Sequence, residues 1–101
     1  MNTYVPVAAA SQVPSDRGLA VRVGGREFAL FRVDGDFYAL AGECPHRGGP
    51  LGEGRTQDGH VHCPLHGWEF DVKTGACRDH PDRPASCFAT RVVDGQVQIQ
   101  I

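Results

Sequence analysis

The sequence predicts an all-β, antiparallel fold built as one domain over residues 1–101. Three observations carry that expectation. A chain of 101 residues is one small domain's worth. Thirteen Gly and seven Pro beside 41% hydrophobic residues favour short strands joined by turns over long helices. Two-residue alternation recurs along the chain, whereas no window sustains the helical period.

The elements follow in order. Ala8 to Val13 accommodates one short helical turn before Pro14. Leu19, Val21 and Val23 alternate with small or polar residues, and Gly24-Gly25 turns the chain into Arg26 to Val33, which reads as a hairpin. Asp34-Gly35 is a second hairpin turn, leading to Phe37 to Leu40. Near the other end Asp94-Gly95 joins a strand over Phe88 to Val93 to a last strand over Gln96 to Ile101, where Val97, Ile99 and Ile101 share a face. Between these hairpins Gly42 to Gly54 is Pro/Gly-rich loop sequence, and a second such loop begins at Cys63 after the short strand His60-Val61-His62. Long loops inside a small domain are usually functional, because their backbone polar groups need something to organise them.

Charge and hydropathy narrow the function classes. Ten Lys plus Arg against twelve Asp plus Glu give a formal charge of -2, and the basic residues never cluster, so no nucleic-acid partner is expected. The stretch from Val5 to Ala10 is too short for a signal core, and nothing approaches eighteen apolar residues. The expectation is a cytoplasmic protein without a membrane partner. Four cysteines in a reducing compartment are more often metal ligands or plain thiols than disulfides.

Their spacing decides which. Cys44-x-His46 lies in the first loop and Cys63-x-x-His66 in the second, with sixteen residues between His46 and Cys63. Each pair offers one thiolate and one imidazole, a donor set that suits zinc or iron and suits magnesium or calcium badly. Both pairs have Pro after the Cys and Gly within two residues of the His. In extended backbone, side chains at i and i+2 point the same way about 6.6 Å apart, two rises of roughly 3.3 Å. That separation suits a dinuclear cluster better than one ion, although local turns also fold both pairs around a single zinc.

Cys44-Pro-His46-Arg-Gly-Gly-Pro-Leu-Gly and Cys63-Pro-Leu-His66-Gly-Trp-Glu-Phe-Asp, followed by Thr74-Gly75, resemble the two cluster-binding boxes of Rieske proteins. The resemblance is strongest from about Ala39 to Gly75 and extends through the flanking hairpins. It implies an antiparallel β sandwich with an inserted two-loop cluster-binding subdomain, over about residues 42–75. It also implies one 2Fe-2S cluster with Cys44 and Cys63 on the inner iron and His46 and His66 on the iron nearer solvent. Two ferric ions, two sulfides and two thiolates sum to zero charge, so this ligation accepts an electron more readily than an all-cysteine cluster does. Each ligand imidazole also keeps a second nitrogen, whose proton affinity depends on the redox state, so the potential is expected to vary at alkaline pH.

The chain departs from the Rieske proteins of cytochrome bc complexes. Those carry a further disulfide whose positions are occupied here by Gly49 and Leu65, and hydroxyl donors near the cluster sulfurs where this chain has Trp68 and Phe70. Fewer hydrogen bonds to sulfur leave the reduced cluster less stabilised, which places the expected potential towards the low end of the Rieske range, about -150 mV. The soluble ferredoxin branch is the better match.

The remaining candidates read more plainly. Cys77 and Cys87 are structural thiols, without an assigned function. His60 and His62 are strand or surface residues, because the order His62-Cys63 lacks the family's ligand spacing. His80 sits in the Pro81 to Pro84 stretch that the resemblance makes a cover for the cluster. Trp68 is core packing that helps keep water away from it. Gly48, Gly49, Gly52 and Gly67 are loop glycines, with the further use that backbone close to a cluster tolerates no side chain.

The expected function is electron transfer, without enzymatic activity of its own: a Rieske-type ferredoxin carrying single electrons from a reductase to an oxygenase. The alternative is the small subunit of an NAD(P)H-dependent nitrite reductase, partnered by its large subunit. A structural zinc-binding interaction module is a third reading.

Overall fold

The computed structural model describes residues 3–44, 49–65 and 67–101. Ten strands and two single 3₁₀ turns make up the described elements: β1 Tyr4–Ala9, β2 Leu19–Val23, β3 Arg26–Val33, β4 Asp36–Ala41, β5 Thr56–Gln57, β6 His60–His62, β7 Glu69–Asp71, β8 Cys87–Phe88, β9 Thr90–Val93 and β10 Gln96–Gln100, with the turns at Ala10–Gln12 and Leu51–Glu53. They form three antiparallel sheets, ordered β1-β10-β9, β2-β3-β4-β8 and β5-β6-β7.

The hairpins sit where the turn residues put them. Gly24-Gly25, Asp34-Gly35 and Asp94-Gly95 all take positive φ at both positions, the geometry whose twist matches the flanking strands, and Asp58-Gly59 does the same between β5 and β6. Two differences from the sequence expectation have local causes. β1 is a strand the sequence does not announce, and it leads into the expected helical turn, a 3₁₀ turn at Ala10–Gln12. Pro6 masks β1 in sequence, and the structure accommodates that proline on an edge strand with a register shift between Pro6 and Ala8. The strand expected over Phe88 to Val93 is broken at Ala89: β8 pairs with β4, while β9 pairs with β10 in another sheet. The Thr90 hydroxyl donates to the Phe37 carbonyl at 2.7 Å, which ties the two sheets together at the break.

β3 is the wall between two cores. Phe28 and Leu30 join Ala39, Val97, Ile99 and Val13 on one side. Ala29 and Phe31 face the other side, with Leu40, Leu51, Val61, Phe70 and three cysteines, Cys44, Cys63 and Cys77. All four β3 residues are fully buried, which is why this segment reads as an unbroken apolar run instead of an alternation. The second core lies beneath the two Pro/Gly-rich loops.

Candidate metal centre

Each loop is closed at its base by backbone bonds, and each base carries a cysteine. In the first, Glu43 and Pro50 form an isolated antiparallel bridge. The Cys44 N–H donates to the Gly49 carbonyl at 2.7 Å, and Leu51 N–H to Gly42 at 3.0 Å. In the second, the Cys63 N–H donates to the Trp68 carbonyl at 2.8 Å, and its own carbonyl accepts from Gly67 at 2.9 Å. Gly67 meets that bond with φ of 71°, a conformation L side chains seldom adopt. The two necks are alike although the loops differ in sequence.

The cysteine side chains point into one core. Cys44 and Cys63 are 2% and 3% exposed and share the apolar cluster formed by Leu51, Val61 and Phe70. Gly49 shows how closely the loops meet: a Cβ there would lie 2.7 Å from Cys63 Sγ and 3.1 Å from Leu65 Cγ. First-loop backbone therefore packs directly on the second-loop sulfur. The same contact makes positions 49 and 65 spatial neighbours, the arrangement the absent disulfide of the bc-type proteins would need. His46 and His66 lie outside the described residues.

These residues fit an iron–sulfur group. Thiolates are soft ligands, and a buried thiolate pair is costly unless a cation compensates it. A Cβ at position 49 would lie 2.7 Å from Cys63 Sγ, so glycine is what lets the first-loop backbone approach this sulfur without a side chain against it.

The other histidines and cysteines have structural employment. His62 on β6 stands opposite Glu69 on β7, with Nδ1 3.7 Å from Glu69 Oε1. His60 Nδ1 lies 3.1 Å from the Asp58 carbonyl oxygen. The His80 ring stacks on Trp68, a contact no sequence pattern announces. Cys77 is buried in the core under the loops, bridged to Phe70, whereas Cys87 is exposed on β8, and no disulfide joins them. Among the described residues no helix is long and apolar enough to cross a membrane.

Comparison with known proteins identifies the family. The family model of the Rieske [2Fe-2S] domain matches residues 3–96. The anthranilate 1,2-dioxygenase ferredoxin subunit of Burkholderia cepacia is 34% identical over 97 residues, 95% of this chain and 90% of that protein. Two other curated relatives are much longer, and the chain spans 13% and 18% of them. Among solved structures, a nitrite reductase small subunit of Mycobacterium tuberculosis, NADH-dependent by its description, superposes with a TM-score of 0.91 at 25% identity, covering 100% of this chain and 96% of that one. A chain from the complex of reduced oxygenase and oxidised ferredoxin in carbazole 1,9a-dioxygenase gives 0.85 at 33% identity, covering 96% and 92%. The protein thus belongs to the Rieske [2Fe-2S] domain family, as an electron-transfer protein with one Rieske-type 2Fe-2S cluster and oxidoreductase partners and not as a catalytic enzyme in its own right.

Proposed function

We propose that Cys44 and Cys63 hold one iron of the cluster and His46 and His66 the other, and that the chain works as a single-domain cytoplasmic ferredoxin. In this reading it carries single electrons from a reductase to an aromatic-ring oxygenase. The observation that carries the ligation is the meeting of the two loops at Gly49 and Cys63 Sγ, above a core that buries both sulfurs. Bound there, the cluster supplies a one-electron ferric/ferrous couple. The chain's own residues do the rest. The necks at Cys44 and Cys63 fix where the thiolates emerge. Leu51, Val61 and Phe70 exclude water beneath them. The amide N–H groups of both cysteines are already engaged, so any donors to the sulfides come from elsewhere in the loops.

The oxygenase partnership is supported by the coverage of a dioxygenase ferredoxin subunit over 90% of its length and by the likeness to a ferredoxin in complex with its oxygenase. A second reading, the small subunit of an NAD(P)H-dependent nitrite reductase, is favoured by the superposition that covers the whole chain. EPR of the reduced protein with nitrogen couplings resolved tests the ligation. Two imidazole nitrogens bound to iron are expected, and their absence, or a colourless protein holding zinc, overturns it. Purification separates the two partnerships. A carrier is isolated as a free chain that reduces an oxygenase, whereas a small subunit co-purifies stoichiometrically with a flavin- and haem-containing large chain.

A further inference from the structure

Trp68 closes the neck of the second loop, because its carbonyl accepts the Cys63 N–H. It is partly buried and packs against the core that contains Cys44 and Cys63. The His80 ring lies on it, with centroids 3.8 Å apart and planes inclined by 24°. His80 belongs to an exposed segment with proline at 81 and 84, remote in sequence from the loop it covers.

Such a segment would wander unless fastened, and it is fastened at both ends. At its start the Arg78 N–H donates to the Glu69 carbonyl at 2.8 Å, Arg78 Nη1 lies 3.0 Å from Glu69 Oε2, and the Glu69 N–H donates to Asp79 Oδ2 at 3.3 Å. Glu69 also faces His62, the residue before Cys63, so one side chain addresses both the segment and the strand leading into the neck. At its far end the Ala85 N–H donates to the Gly75 carbonyl at 2.8 Å. Gly75 has φ of 82°, and a Cβ there would collide with the Ala85 carbonyl oxygen, so position 75 is closed to every other residue. Within the segment the Arg83 N–H donates to the His80 carbonyl at 2.9 Å, and the prolines restrict what remains. Most of the entropy of holding His80 over the indole is thus spent by contacts made elsewhere.

We propose that His80 is a positioning residue: by stacking on Trp68 it holds the second ligand loop closed against water and so sets the potential and the retention of the cluster. The inference rests on the ligation by Cys63 proposed above and goes beyond it. An aromatic stack of this kind contributes about 0.5–1.5 kcal/mol. Loss of it raises the population of the open loop about 2- to 12-fold.

The test compares His80→Ala and His80→Phe in the cluster-loaded protein. In His80→Ala, water reaching the loop stabilises the more negative reduced cluster, so the midpoint potential rises, and cluster loss to an iron chelator accelerates about 2- to 12-fold. Trp68 is the only tryptophan, so acrylamide quenching of its emission reports the exposure of that one indole, and it increases. His80→Phe keeps a stacking ring and returns all three readouts to the parent values. A parent-like potential and loss rate in His80→Ala, or a His80→Phe protein that behaves as His80→Ala does, overturns the proposal. A parent protein that binds no cluster refutes the ligation instead, so the two failures are distinguishable.

Discussion

Gly49→Ala adds a single methyl group where the first loop meets the second-loop sulfur. The new Cβ would lie 2.7 Å from Cys63 Sγ. Carbon contacts are most favourable at about 3.5–4.0 Å, so the gap is short by roughly 1 Å, and Leu65 Cγ at 3.1 Å closes the alternative direction. Overpacking of this kind costs about 1–3 kcal/mol. The strain falls on the thiol that must hold iron, so the expected result is a protein with less iron and acid-labile sulfide than the parent. In a domain of this size a loss of about 2 kcal/mol also lowers the Tm by about 8–16 °C. Gly25→Ala is the control. Gly25 sits in the β2–β3 turn at φ of 81° with nothing within 4 Å of its Cβ position, so alanine there costs about 1–2 kcal/mol of backbone strain far from the sulfurs. It lowers the Tm but leaves iron and sulfide content unchanged. Gly49→Ala with full iron and sulfide content and an unchanged potential would refute the convergence of the two loops.

Further perturbations separate scaffold from site. Phe31→Ala empties the floor of the core beneath the loops and destabilises the protein by about 3–5 kcal/mol, read from urea unfolding. Cys77→Ala, in the same core but outside the proposed ligand set, keeps its iron and sulfide, and loss of the cluster would reassign that residue. His46→Cys or His66→Cys lowers the potential if the cluster assembles, because each exchange adds a thiolate's negative charge. Voltammetry across alkaline pH gives a falling potential: the oxidised cluster releases the imidazole proton more easily than the reduced one, which costs about 59 mV per pH unit for one proton and one electron. A flat profile would contradict two-histidine ligation.

Much of the molecule was legible in the sequence because its signals are local. Gly24-Gly25, Asp34-Gly35 and Asp94-Gly95 place their hairpins by backbone chemistry that no distant contact overrides. The two Cys/His pairs announce themselves through spacing and their Pro/Gly surroundings. Features decided by tertiary context were hidden. β1 contains Pro6, which reads as a breaker until an edge is available to accept it. The break at Ala89 follows from competition between β4 and β10 for neighbouring residues, and no residue type marks it. Glu69–Asp71 reads as loop, and becomes β7 by pairing with His60–His62. The stack of His80 on Trp68 joins residues twelve positions apart, across a stretch whose sequence shows only that it is rich in proline.

Because Phe28 and Leu30 line one compartment while Ala29 and Phe31 line the other, a single strand serves as a party wall between the terminal strands and the sulfur-bearing interior. Ligand binding to the native state alone raises the free energy of every opening that exposes the site. Stripping the inorganic core should therefore be felt on the far side of the wall, as faster amide exchange at Val97 and Ile99, which pack with Phe28 and Leu30.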